Sequence, residues 1–378
     1  EAVNIVITDD VTFAKGKVIE DASNSGTITY SINDTAAAIT AGIGSDIAVI
    51  NAATTVTANT NALKAEANTL GGATKSIVFN IKDTGANVAS INSSALNEAV
   101  NITIDGTALV SQAVIVDNAS NSGTDTYNIT DSAANLAASS NDLLVKAGTV
   151  IANTQASAVE ANAIGGYAKA VTFSVTDSAV NIASADTDAL SEAVDITVND
   201  TATVAQAEFI EARTNSGTNT YSITDSATNL AASSNTVLAK ASSVSANTNA
   251  TQAQANTIGD FNKAVTYNIS DTATNIAGGN ATGRNEAVDI TATTAATIAE
   301  ATTIDNAGNS GDKTYNIEDT ATAITASNDT FVTKAGTVTV SGIANVTQAG
   351  TISGFTKAVV YSISDIPDNA LTAVSDAY

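Results

Sequence analysis

Cysteine, histidine, methionine and tryptophan are all missing from this 378-residue chain, and it has a single proline. Without cysteine there are neither disulfides nor thiolate metal sites. Without cysteine and histidine, most hydrolase, transferase and zinc chemistries lose their usual participants. Aromatic residues are only 4% of the chain, and much of its 44% apolar content is alanine. Such side chains fill a narrow, layered core and not a wide globular one. Basic residues are scarce too, 14 Lys and Arg against 38 Asp and Glu, for a net charge of −24. That surface repels nucleic acid and anionic membranes, because phosphate binding needs Lys and Arg. It suits divalent cations, high salt or solubility alone. No apolar run approaches the ~20 residues of a membrane helix, so membrane insertion is not expected. The chain opens in mid-pattern at Glu1-Ala2-Val3, with no initiator Met or signal peptide. It reads as a processed chain or an excerpt of something longer.

What is present is a repeat. Phe79, Phe173, Tyr267 and Tyr361 fall 94 residues apart, as do Asp83, Asp177, Asp271 and Asp365, and Lys75, Lys169, Lys263 and Lys357. The turn Asn-Ser-Gly recurs at the same interval at Asn121, Asn215 and Asn309, with an earlier copy at Asn24, 97 residues before Asn121. The repeats run approximately 3–99, 100–193, 194–287 and 288–378. Fixed self-similarity on this scale marks an architecture in which each unit contacts its neighbours.

Each repeat divides into four coils of 22 to 26 residues, in the third copy 220–241, 242–264, 265–287 and 288–313. A coil opens with apolar residues at every second place, as in Val265-Thr266-Tyr267-Asn268-Ile269, the pattern of a half-buried strand. Asp271 to Ala277 then reads as a helix cap and one helical turn. A polar loop follows. This predicts a mainly β fold: one elongated parallel β-solenoid spanning 1–378, β-helix or leucine-rich-repeat-like. Each coil would carry a strand and a short helical or bent segment.

The first coil is of the long type that ends in Asn-Ser-Gly, and the last is of the type that precedes it. Glu1-Ala2-Val3 repeats the junctions Glu98-Ala99-Val100, Glu192-Ala193-Val194 and Glu286-Ala287-Val288. Two readings are open: a protomer that stacks end to end on copies of itself without closing, or a cut from a longer array.

The repeated aspartates are the candidate site residues: Asp131, Asp225 and Asp319 (with Asp34) in one coil type, and Asp83, Asp177, Asp271 and Asp365 in another. They have two readings. One is capping, in which the carboxylate accepts backbone N–H bonds. The other is a calcium site, in which stacked coils gather Asp, Asn and carbonyl oxygens around a hard cation. No dense acidic calcium loop or glycine-rich nonapeptide supports the second. Asn87, Asn181, Asn275 and Asn369 are expected to form an amide ladder, each bonding to the next coil. The Lys75 series is read as ion-paired or solvated. Asn-x-Ser/Thr sequons are plentiful, for example at Asn101 and Asn268. Neither a catalytic triad, a nucleotide loop nor a paired-carboxylate site stands out, so no catalysis and no required cofactor are expected. Calcium is the one ion the aspartates admit.

The segment Asn-Ser-Gly-Thr-x-Thr-Tyr-x-Ile-x-Asp-Ser-Ala-x-Asn-Leu-Ala, at Asn121–Ala137 and Asn215–Ala231, resembles repeats of giant secreted surface proteins of marine bacteria and cyanobacteria. These are grouped with type I-secreted, haemolysin-type calcium-binding proteins and adhesins. The resemblance spans the whole chain. It implies an extracellular or cell-surface location, an elongated β-rich shape and a role in adhesion, surface layers or filaments. The chain lacks the glycine-aspartate calcium repeats and the secretion tail of that group. The expected function is structural: a subunit of a head-to-tail filament, or a segment of a giant adhesin or surface layer. Its partner would be itself, with surface glycans as a further class. The competing expectation is a carbohydrate- or ice-binding module, which a long flat face with uniform Thr rows or an aromatic-lined groove would favour.

Overall fold

A computed structural model describes residues 3–364. The chain divides into two compact units. One comprises Glu1–Asp177, Ser184–Ile196 and Arg213–Thr218; the other comprises Ser178–Ala183, Thr197–Ala212 and Asn219–Tyr378.

The expectation of a mainly β chain fails. The described residues hold twenty-two helices, and helix outweighs strand, 40% against 23%. The fold is α/β, with several small parallel sheets of two to five strands in place of one β-solenoid. The physical reason lies in segments that read as polar returns. In the second unit, the coil with strand Asn219–Asp225 carries two helices, Ala227–Ala232 and Asn235–Lys240. The next coil has strand Val244–Ala246 and one helix, Gln252–Gly259. The pattern then repeats with helices Ala273–Gly278 and Ala281–Glu286, followed by the single helix Ile298–Asp305. In the second unit the eight-residue helices start on a capping box. Thr251 accepts from the Gln254 N–H while the Gln254 side chain reaches back to Thr251, and Thr297 and Glu300 do the same. Alanine then favours helix at low entropic cost.

Strands pair in parallel with the strand of the following coil. In the second unit Ile223 lies opposite Val244, Val244 opposite Val265, and Ile269 opposite Ile290. In the first unit the same step joins Ile32 to Val56, Ile81 to Ile102 and Ile129 to Val150. Alternation places Val265, Tyr267 and Ile269 inside. Each helix adds a narrow apolar edge, such as Ala255 with Ile258, Ala273 with Ile276, and Ala301 with Ile304, all buried. The core is thus built between a strand and helices that approach closely.

Two periodic glycines show how close. A Cβ on Gly165 would come 2.6 Å from the Ala189 Cβ, and one on Gly71 would come 2.6 Å from the Ala95 Cβ. The glycine of the Asn-Ser-Gly turn has a different reason. A Cβ on Gly123, Gly217 or Gly311 would sit 2.3 Å from an oxygen of Asn101, Asp195 or Asp289, respectively. That turn docks on the preceding coil, and Asn121, Asn215 and Asn309 each donate to its backbone, at Val100, Val194 and Val288.

Candidate functional site

Each repeated aspartate joins two coils. Oδ2 of Asp34, Asp83, Asp131, Asp177, Asp225, Asp271 and Asp319 accepts the backbone N–H of Phe13, Lys64, Val110, Ala158, Val204, Gln252 and Ile298, respectively, at 2.9–3.0 Å. Every one of those donors is the first residue of the preceding coil's helix. Oδ1 turns to its own coil. In Asp225 it accepts from the Ser226 N–H at 2.7 Å and the Asn229 side chain at 2.8 Å. Asp83, Asp131 and Asp271 repeat this with Asn87, Asn135 and Asn275. The cap of the aspartate's own helix is the next residue, for example Thr272 after Asp271. The carboxylate is therefore a cap reaching across coils. Asp365 lies outside the described residues.

Three of these aspartates are buried, with Asp83 9%, Asp131 6% and Asp225 7% exposed, and Asp34, Asp177, Asp271 and Asp319 are half-buried. In Asp83, Asp131, Asp225 and Asp271 burial is the largest single influence and pushes the pKa up. The N–H donors together outweigh it and hold Asp83, Asp131, Asp225 and Asp271 below the ordinary carboxylate value. The lone pairs of both oxygens face N–H groups. Among the described residues, no three acidic side chains gather where one metal ion could bind them.

Helices of the other coil type are capped in the same way from the following coil. Ala36, Ala133, Ala227 and Ala273 donate to the hydroxyls of Thr60, Thr154, Thr248 and Thr294, and Ala179 donates to Asp200. Sequence reasoning missed these residues, although Thr60, Thr154 and Thr248 keep the 94-residue period.

The lysine and asparagine expectations need correction. Lys75, Lys169 and Lys263 donate to the carbonyls of Ala53, Ala147 and Ser242, at the C-terminal ends of helices in the preceding coil. A cation there meets the negative end of the helix dipole. Ion pairs come from other residues, among them Lys146 with Asp117, Lys240 with Glu211 and Lys334 with Asp305. Asn87 and Asn275 do not ladder to the next coil, since each amide closes back on its own aspartate. Asn369 lies outside the described residues. A ladder does form elsewhere: Asn80 accepts from Asn101, Asn101 from Thr124, Asn268 from Asp289, and Asp289 from Asp312.

One departure from this regularity concerns the buried tyrosines. Buried Tyr127, Tyr221 and Tyr267 each donate their hydroxyl to a helix carbonyl, at Leu143, Val237 and Gly283. Tyr315, next in the series, is 2% exposed and its hydroxyl has no partner. An orphaned buried hydroxyl costs about 1–3 kcal/mol. Beside it the helix is cut to four residues, Asp329–Val332. Phe331 stands where Leu143 and Val237 are buried, is itself half-buried, and stacks on Tyr315 with ring centroids 6.4 Å apart. Phe331 borders a groove of about 720 Å³ along Ile298–Asp305.

Comparison with family models, with curated proteins and with solved structures returns no match. Among the described residues, no helix is long and apolar enough to cross a membrane.

Proposed function

We propose that this chain is a non-enzymatic structural protein of the cell exterior, a subunit of a head-to-tail filament or a segment of a giant adhesin or surface layer. The observation that carries this reading is the direction of its bonds. Parallel strand pairs, aspartate and threonine caps, lysine caps and the Asn-Ser-Gly turn all tie one coil to an adjacent one in sequence. Stability then accumulates as a sum of nearest-neighbour interfaces, the property a spacer or filament needs. The extracellular placement rests on the resemblance to secreted surface repeats and on the cysteine-free, acidic composition.

Removal of one whole repeat, residues 194–287, tests the structural part. The shortened chain should keep its helix content per residue by circular dichroism and still melt cooperatively. Collapse to an unfolded chain would show a single indivisible core and refute the reading. Sedimentation velocity over a range of concentrations tests the filament form, which predicts an open-ended series of masses. A closed dimer or ring would eliminate it, and a constant monomer would leave the segment form.

A further inference from the structure

We propose that the fourth-repeat groove beside Phe331 is a binding site for a neutral sugar residue of a glycan. It is a function beyond the structural one, and the repeat itself supplies the comparison that exposes it. At the same register, the second and third repeats carry Leu143 and Val237, both buried. The fourth carries an aromatic ring, half-buried at the edge of the groove. Asn306 stands where the third repeat has Ala212, Thr302 where it has Glu208, and Asn328 where it has Ser234. Each change adds an amide or removes a charge.

The chemistry of the walls selects the ligand class. Lys334 and Asp305 neutralise one another at 2.7 Å, so the groove offers no net charge to an ion. The surrounding chain, at −24, turns anions away. What remains is an aromatic edge with separate donors and acceptors: the Asn306 amide, the Asn328 Nδ2 group, whose Oδ1 partner already caps the helix at the Phe331 N–H, and the paired Asp305 and Lys334. A pyranose presents an apolar C–H face to an aromatic ring and a rim of hydroxyls to such groups. The local geometry keeps a cost the other repeats avoid, the unpaired Tyr315 hydroxyl beneath Phe331. Unsatisfied groups of this kind collect where a site overrides packing.

The test uses the intact chain and saturation-transfer NMR with methyl glycosides of glucose, galactose, mannose and N-acetylglucosamine, plus their disaccharides. At least one should receive saturation from the protein at millimolar concentration. Phe331→Leu installs the second repeat's residue and Asn306→Ala the third's, so neither should melt below the parent chain. Phe331→Leu should weaken binding at least tenfold, and Asn306→Ala severalfold. Val237→Phe should create or strengthen a second site one repeat earlier. A panel in which no sugar binds would overturn the proposal. So would binding that Phe331→Leu and Asn306→Ala both leave unchanged.

Discussion

Asp225→Ala cuts one link between coils and leaves the rest intact. The parent carboxylate accepts the buried Val204 N–H at 3.0 Å from one coil, and the Ser226 N–H and Asn229 amide from its own. Alanine strands the Val204 donor, which costs about 1–3 kcal/mol for a buried group. Loss of the local turn bonds adds about 1 kcal/mol. The expected destabilisation is therefore about 3 kcal/mol, read as a lower urea midpoint at constant slope. Because the link is between neighbours, amide protection should fall first in Val204–Glu211 and Ala227–Ala232, and least in coils further along the second unit. A pH arm checks the electrostatics. Asp225 is held below the ordinary carboxylate value, since burial raises it but the Val204, Asn229 and Ser226 donors outweigh that. A depressed pKa contributes stability above the unfolded value near 3.9 and loses it as pH falls through the folded one. Parent and variant should thus differ at neutral pH and converge in strong acid. A loss under about 0.5 kcal/mol, or protection lost evenly throughout the second unit, would refute the inter-coil role.

The same substitution should act in opposite directions at two helical glycines. Gly165→Ala places a Cβ 2.6 Å from that of Ala189, so overpacking of about 1–3 kcal/mol outweighs the gain in helix propensity. Gly350→Ala meets nothing within 4 Å and should stabilise by about 0.5–1 kcal/mol; thermal melts of the pair decide the matter. Burial foremost, then the charge of Asp117 or Asp305, raises Tyr127 and Tyr315 to about 12, and Tyr30, Tyr221 and Tyr267 are raised as well. A raised pKa gives stability that is complete below the unfolded value near 10 and is lost as pH climbs through the folded one. Denaturant midpoints should fall between pH 10 and 12, at about 1.4 kcal/mol per pH unit for each tyrosine. A flat alkaline limb would contradict their burial.

The strand half of each coil was legible because period-two alternation survives even where the strand is short and interrupted, as Val265, Tyr267 and Ile269 show across the strands Val265–Thr266 and Ile269–Asp271. The second helices were not. Asn235–Lys240 is one and a half turns long, and its apolar contribution is an adjacent pair, Val237 and Leu238. No helical period develops over six residues, so the segment looked like polar loop and the chain looked more β than it is. A usable signal did exist for the longer helices. Ser157 with Glu160, Thr203 with Gln206, and Thr251 with Gln254 are Ser/Thr-x-x-Glu/Gln boxes that recur through the repeats.

The aspartates illustrate a second limit. Their period announced a role, and their type suggested capping, but a one-dimensional pattern gives no direction. Asp271 sits one residue before a helix, so local reasoning assigned it to that helix. The structure gives that helix to Thr272 and lends the Asp271 Oδ2 to Gln252, nineteen residues back. Only a carboxylate serves this arrangement well, because an amide in its place would present N–H to N–H on one side. Strict repetition of a residue thus reports the demands of stacking, and its function is the neighbouring coil. Ligand chemistry has to be sought where the register is kept and the residue changes. Phe331 meets that condition: it occupies a position that the period defines and two other repeats fill with aliphatic side chains. The packing it disturbs, at Tyr315, is the packing those repeats satisfy.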